Sequence, residues 1–232
     1  MTGKVPANLP PAGGIVLAGG KSTRMGTNKA LLPLRDKSLL ATVVAALRPL
    51  FAEIIVVTNT PELYRDLGAR LVRDVIPGRG PLSGFHAGLL ASPYWHNFIV
   101  ACDMPFLDPA LISYLLGRAP GYDAVVPRRG EYLQPLHAVY SRGCLPAIEA
   151  CLKKGEYQAF AFYPRVRVRY IDVDRLKDRG FNDPEEVFFN INTPADLARA
   201  RYRLKGKPPS HQILLKEEDD GRKGSPGGRG EN

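Results

Sequence analysis

The chain is poor in the residues from which disulfide frameworks and zinc sites are built. It has three cysteines and four histidines among 232 residues. Cys102, Cys144 and Cys151 are odd in number, none belongs to a CxxC pair, and no paired histidines accompany them. These absences argue against a disulfide framework and a zinc site, and they predict reduced, mostly buried thiols.

The sequence also lacks long apolar runs. No stretch of about 18 apolar residues is present, and the N-terminal MTGKVPANLPPAGG has no apolar core of the kind found in signal peptides. We therefore expect a cytoplasmic protein that does not bind membranes. A hydrophobic content of 44% with 24% charged residues is ordinary for a globular chain with a sizeable core.

A nucleic-acid-binding signature is absent as well, although the net charge is +9. The arginines are scattered through loops, and no helical segment carries a continuous basic stripe. We therefore expect no nucleic acid partner. A small anionic substrate fits the positive charge equally well.

Composition divides the chain into three parts. Residues 1–12 form a proline-rich lead-in, and residues 206–232 are rich in glycine, proline and charge, so both are expected to be disordered. The acidic KEEDD run inside the second segment is interpreted as solvated rather than metal-binding. Residues 13–205 remain as one folded domain.

The apolar pattern of that domain alternates between short strands and helices. Buried strands are predicted at 14–18, 53–59, 97–103 and 123–127, with helices at 38–50, 80–93 and 108–118 between them. Longer strands are expected at 133–141 and 165–173, followed by a closing helix at 193–204. The order predicts an α/β fold whose mostly parallel sheet has helices on both faces and binds ligands at the carboxyl ends of its strands.

The segment GIVLAGGKSTRMGTNKALLP, residues 14–33, is the most informative in the chain. Gly19 and Gly20 follow a buried strand and allow backbone N–H groups to approach an anion. Arg24 and Lys29 add a fork of donors and a point charge within the same loop, which suits a polyphosphate. The alternative is a solvated glycine-rich turn, because the pattern matches neither the P-loop nor the dinucleotide fingerprint.

Asp103, in FIVACDMPFL, comes at the end of another buried strand. A carboxylate in that position is costly unless it is paired, and Mg2+ commonly binds through one or two carboxylates together with substrate phosphates. The alternative is a turn or helix-capping carboxylate before Pro105. Its expected place opposite the glycine-rich loop favours the metal.

The motif LAGGKSTRMGTNKALLP resembles the signature LAGGxSxRMGxDK of molybdenum cofactor guanylyltransferases, within the wider nucleotidyltransferase family. GPLSG (80–84), ACDMPFL (101–107), QPLHAVY (134–140) and NINTPADL (190–197) extend the resemblance over residues 13–204. LAGG and GPLxG are typical of the guanylyl enzymes, whereas cytidylyl relatives tend to have LAAG. Asn28 departs from the pattern, since the family usually has Asp there.

The resemblance implies a Rossmann-like nucleotidyltransferase (GT-A-like) fold and Mg2+-dependent transfer of GMP from GTP to the phosphate of molybdopterin. It makes Arg24, Lys29 and Asp103 catalytic, with Asp103 as the metal ligand. It further implies nucleotide contacts by Leu17, Ala18, Gly19, Lys29, Asn59, Asp74 and Asp103. Gly20, Gly80 and Gly84 are added as nucleotide contacts because glycine lets the backbone approach a ligand closely. Transient contacts with proteins that deliver the cofactor or receive the product would follow.

Several of these roles have structural alternatives. Asp74 suits the N–H donors of guanine but is equally typical of a surface turn, and GRGPLSG is equally a helix start with Pro81 in its first turn. Asn190 and Asn192 are candidates for acceptor binding or for turns that cap the last helix. A cytidylyl- or sugar-phosphate nucleotidyltransferase and a binding module without turnover remain the rival functions.

Overall fold

The computed structural model describes residues 11–19, 28–74, 76 and 79–205. Gly20, Arg24 and the two terminal segments expected to be disordered lie wholly or almost wholly outside these residues. Within the described part of the chain, no helix is long and apolar enough to cross a membrane.

Eight strands form one mixed sheet, in the order β3-β2-β1-β4-β7-β5-β6, with β8 paired to β5. Their bounds are β1 Ala12–Leu17, β2 Ile54–Val57, β3 Arg70–Val72, β4 His96–Ala101, β5 Ala124–Arg129, β6 Tyr132–Leu133, β7 His137–Ser141 and β8 Val168–Asp172. Strands β3, β2, β1 and β4 run parallel, and β7 is antiparallel to both β4 and β5. The four parallel strands therefore end at one common edge.

Six α-helices accompany the sheet among the described residues. They are α1 Leu39–Leu47, α2 Pro81–Ala91, α3 Pro109–Leu116, α4 Leu145–Lys153, α5 Pro184–Val187 and α6 Pro194–Leu204. The buried residues of α1 and α3 belong mainly to one core cluster, and those of α2 and α4 belong mainly to a second. Neighbouring residues of β1 divide between the two, with Val16 in the first and Ile15 in the second. The sheet thus has helices on both faces, as the sequence predicts.

Side-chain caps fix where the helices begin. Ser38 accepts a hydrogen bond from the Ala41 N–H at the start of α1, and Asp108 accepts from the N–H of Ala110 at the start of α3. Thr193 and Asp196 form a reciprocal capping box at α6. Each cap satisfies N–H groups that the first helical turn leaves without partners.

Two of the expected strands differ in the structure. The segment predicted at 133–141 is divided, because Gln134–Leu136 form a turn between β6 and β7. The strand predicted at 165–173 begins only at Val168, since Tyr163–Arg165 form a 3-10 helix. Arg165 therefore lies outside β8, and its Nη1 donates to Cys151 Sγ at 2.8 Å.

Candidate active site

The carboxyl ends of the parallel strands bring distant parts of the sequence together. Backbone bonds join them beyond the regular ladders: the Ala18 N–H donates to Val57 O at 2.8 Å, and the Cys102 N–H donates to Leu17 O at 3.0 Å. The residues that follow β1, β2, β3 and β4 therefore face one another. This is the ligand-binding edge of open α/β sheets.

A cleft of about 450 Å³ lies at this edge. Nine of the predicted site residues line it, namely Leu17, Ala18, Gly19, Lys29, Asn59, Asp74, Gly80, Gly84 and Asp103. They come from six separate segments of the chain, so the fold brings them together. Gly20 and Arg24 lie outside the described residues.

Lys29 and Asp103 form an ion pair on one wall of the cleft. The Lys29 Nζ lies 3.1 Å from Asp103 Oδ2, and both side chains are largely buried, with exposed fractions of 16% and 20%. The same Nζ donates to Asn192 Oδ1 at 2.9 Å. The ammonium is therefore held by two oxygens from segments far from it in sequence.

The second oxygen of Asp103 has different surroundings. Oδ1 is buried and makes no hydrogen bond with the described residues. The carboxylate does not cap α3, because Asp108 does so. A buried carboxylate oxygen without a donor is costly, which fits an oxygen that binds a cation together with a ligand. No group of three or more His, Cys, Asp and Glu side chains among the described residues could hold a metal by itself.

Asn28 positions the backbone that carries Lys29. Its Oδ1 accepts from the Ala30 N–H at 3.1 Å, and its Nδ2 donates to the buried Tyr64 hydroxyl at 2.7 Å. The first bond caps the 3-10 helix Lys29–Leu31. Asn28, which departs from the family pattern, therefore caps this 3-10 helix, and it lines the cleft as well.

Asp74, Gly80 and Gly84 form another part of the lining. Asp74 Oδ1 accepts from the Ile76 N–H at 3.0 Å and from the Ser83 hydroxyl. Gly80 has a φ of 101°, and a Cβ there would lie 2.8 Å from the Tyr157 carbonyl oxygen. Gly80 is therefore needed for the close approach that starts α2.

Gly84 has a packing role in addition to its place in the cleft. A Cβ at Gly84 would lie 3.1 Å from Cδ2 of Leu17. The space that Gly84 leaves is therefore occupied by Leu17. A larger residue at this position would require the Leu17 side chain to shift.

The two asparagines of NINTPADL lie in different environments. Asn192 reaches Lys29, whereas Asn190 donates from Nδ2 to Phe188 O at 3.1 Å. Neither side chain lines the cleft described above. The Ile191 N–H donates to Asp103 O at 3.0 Å and ties this segment to the loop after β4.

Cys102 and His137 are poorly suited to act as nucleophile or general base, because the thiol stays protonated near pH 7 and the imidazole is a weak base. Burial, with the nearby Asp103 charge, raises the pKa of the Cys102 thiol to about 12. Burial also lowers the pKa of His137 to about 3, so its ring is neutral near pH 7. The Lys29 ammonium, by contrast, brings a positive charge to the cleft.

Sequence reasoning missed three features of this region. The interaction of Asn192 with Lys29, the bond between Asn28 and Tyr64, and the bond between Ser83 and Asp74 all join residues that local patterns treat separately. For these three contacts, the one local signal in the sequence was the serine of GPLSG, a polar residue near the start of a predicted helix. The pairing itself depends on the tertiary fold.

A parallel α/β sheet with a glycine-containing loop and a Lys–Asp pair at the carboxyl ends of its strands defines a nucleotide-handling enzyme. The chain belongs to the MobA-like NTP transferase domain family, which it matches over residues 14–168.

Its relatives include enzymes with a narrower designation. The chain is 46% identical over 190 residues to a probable molybdenum cofactor guanylyltransferase of Pelotomaculum thermopropionicum, covering 82% of this chain and 92% of that protein. It is 40% identical to the molybdenum cofactor guanylyltransferase of Desulfosudis oleivorans, covering 83% and 95%. The crystal structure of molybdopterin-guanine dinucleotide biosynthesis protein A from Archaeoglobus fulgidus matches with a TM-score of 0.71 and 29% identity, covering 82% and 97%.

Proposed function

We propose that this nucleotidyltransferase transfers GMP from GTP to the phosphate of the molybdenum cofactor, forming molybdopterin guanine dinucleotide and releasing pyrophosphate. The observation that carries the proposal is the cleft in which Lys29 and Asp103 face Asp74 and Gly80. The curated relatives designated molybdenum cofactor guanylyltransferase support this choice of substrates.

The residues of the chain divide the work between the phosphates and the base. Lys29 supplies positive charge where charge accumulates during transfer, and Asp103 and Asn192 hold its ammonium in place. Removing one such stabilising group typically slows catalysis by about 10²–10³. Arg24 would act on the phosphates in the same way. Leu17, Ala18 and Gly19 line the cleft beside the proposed nucleotide, and Asn59 offers it a polar contact. Gly20 is a further proposed contact of the nucleotide.

The residues around Asp103 fit a Mg2+ ion. Oδ1 is buried and lacks a hydrogen-bond donor among the described residues, and a carboxylate oxygen is a ligand that Mg2+ prefers. Asp103 would hold the ion together with substrate phosphates. When bound, Mg2+ neutralises phosphate charge.

A protein general base is not required for this reaction. The second pKa of a phosphate monoester is about 6, so the acceptor arrives largely ionised at neutral pH. Asn190 and Asn192 are the proposed contacts of the acceptor. Asn192 would also act on the nucleotide side, because it holds the ammonium of Lys29. Proteins that deliver the cofactor or receive the product would be transient partners.

Pyrophosphate release with each of the four NTPs, with and without molybdenum cofactor, tests the proposal. We expect release only when GTP, Mg2+ and the cofactor are all present. Release with a sugar phosphate in place of the cofactor, or binding of GTP without any turnover, would support one of the rival functions and overturn this one.

A further inference from the structure

Asp74 is the carboxylate in the cleft that suits a guanine base, but its side chain is not fixed by its own segment alone. Its Oδ1 accepts from the Ile76 N–H, two residues further along the chain, and from the Ser83 hydroxyl of α2. Among the described residues, all hydrogen bonds to this carboxylate reach Oδ1. Oδ2 is a second acceptor on a residue that lines the cleft, so it can accept from a ligand bound there.

Ser83 is placed to hold this carboxylate in one orientation. It is 0% exposed and lies in the first turn of α2. Its Oγ accepts from the Ile76 N–H at 3.0 Å while its hydroxyl donates to Asp74 Oδ1. A hydroxyl has one donor, so the bond from Ile76 leaves that donor for Asp74. Ser83 thus links α2 to the segment after β3.

We propose that Ser83 is a positioning residue for base selection: it orients Asp74 so that Oδ2 accepts the N–H donors on the guanine edge. This inference rests on the proposed function, because it assumes that GTP occupies the cleft. Guanine presents a ring N–H and an amino group where adenine presents a ring nitrogen with a lone pair. A fixed carboxylate accepts from the first and repels the second.

Loss of the Ser83 hydroxyl gives the carboxylate more freedom to rotate, because the Ile76 N–H is then the only donor to Oδ1 among the described residues. The preference for GTP over ATP should then fall while the phosphate contacts remain. Ser113→Ala is the matched control: Ser113 is 3% exposed in α3, and its hydroxyl makes no hydrogen bond with the described residues. Both substitutions remove one buried hydroxyl, so a general effect of that loss would appear in both.

The test is calorimetric binding of GTP and ATP to the full chain with Mg2+. We expect the wild type to bind GTP at least about tenfold more tightly than ATP, and Ser83→Ala to reduce that ratio by about three- to tenfold, which is the net strength of one typical hydrogen bond. Ser113→Ala should keep the wild-type ratio. Ser83→Cys, which retains a weak donor, should lie between wild type and Ser83→Ala and serves if the alanine variant does not fold.

The outcomes separate this inference from the proposed function. An unchanged GTP/ATP ratio in Ser83→Ala, an equal fall in Ser113→Ala, or wild-type binding without preference would overturn the role of Ser83. Selective GTP binding that depends on Ser83, without GMP transfer to the cofactor, would support the role of Ser83 and refute the proposed function.

Discussion

At Asp103 the two oxygens of one carboxylate have different surroundings. Oδ2 is 3.1 Å from the Lys29 ammonium, and Oδ1 is buried without a donor among the described residues. Asp103→Asn keeps the size of the side chain but removes its charge, and a neutral amide binds Mg2+ poorly. We expect GMP transfer to fall by at least about 10² while the far-ultraviolet circular dichroism stays unchanged.

The control for this variant is Asp66→Asn, because Asp66 is exposed and does not line the cleft. Pyrophosphate release should be normal in the control. If Asp103→Asn retains wild-type turnover, the assignment of Asp103 as the metal ligand is wrong.

Lys29→Ala and Arg24→Ala should each slow GMP transfer by about 10²–10³, because each removes a positive charge that stabilises the phosphates during transfer.

At the scale of elements, the cap of α6 reaches the active site. Asp196 Oδ2 accepts from the N–H groups of Asn192 and Thr193, at 3.1 and 2.9 Å, and Asn192 in turn contacts Lys29. Asp196→Ala should cost about 1 kcal/mol of unfolding free energy, as the loss of a helix cap usually does. It should also slow GMP transfer several-fold, because Asn192 loses its anchor.

A second cap provides the comparison for this prediction. Asp183 accepts from the Glu185 N–H at the start of α5 and has no bond to Asn192 or Lys29 among the described contacts. Asp183→Ala should lower the melting temperature to a similar extent and leave kcat near wild type. Equal losses of kcat in both variants would mean that destabilisation, and not the position of Asn192, is responsible.

The strand and helix predictions succeeded where one physical signal dominated. The apolar runs of β1, β2 and β4 predicted buried parallel strands, and Thr193 with Pro194 predicted the start of α6. The start of β8 and the turn at Gln134–Leu136 were missed, because tertiary contacts decide them. The hydrogen bond between Lys29 and Asn192 could not be predicted from the sequence, because 163 residues separate the two.

For the whole molecule, a buried histidine predicts how stability depends on pH. His137 is fully buried between the edges of Phe98 and Phe188, and neither ring nitrogen has a partner among the described residues. Burial lowers its pKa from 6.5 to about 3. Between these values the unfolded chain binds the proton and the folded chain does not, so stability rises with pH across this window.

Lowering the pH from 7 to 5 should therefore remove about 2 kcal/mol of unfolding free energy through this residue. Urea unfolding at several pH values measures the loss, and His137→Leu provides the comparison because the other titrating groups are the same in both proteins. The variant should lose about 2 kcal/mol less than the wild type over this range. Identical pH dependence in the two proteins would show that His137 is not neutral and buried as described.

The proposed GMP transfer requires the cleft to select guanine over the other bases. Asp74 in the cleft suits the donor edge of guanine, and LAGG with GPLSG are the segments that resemble the guanylyl enzymes. We expect Asp74→Ala to reduce the preference for GTP over CTP, mainly by weakening the use of GTP.

The most direct test is a side-by-side measurement of GMP and CMP transfer to molybdenum cofactor by the wild-type chain with Mg2+. The account predicts that kcat/KM for GTP exceeds that for CTP by at least about tenfold, which corresponds to about 1.4 kcal/mol, the strength of one well-placed polar contact. Equal use of the two nucleotides, or preference for CTP, would contradict guanylyl transfer and leave only the nucleotidyltransferase fold.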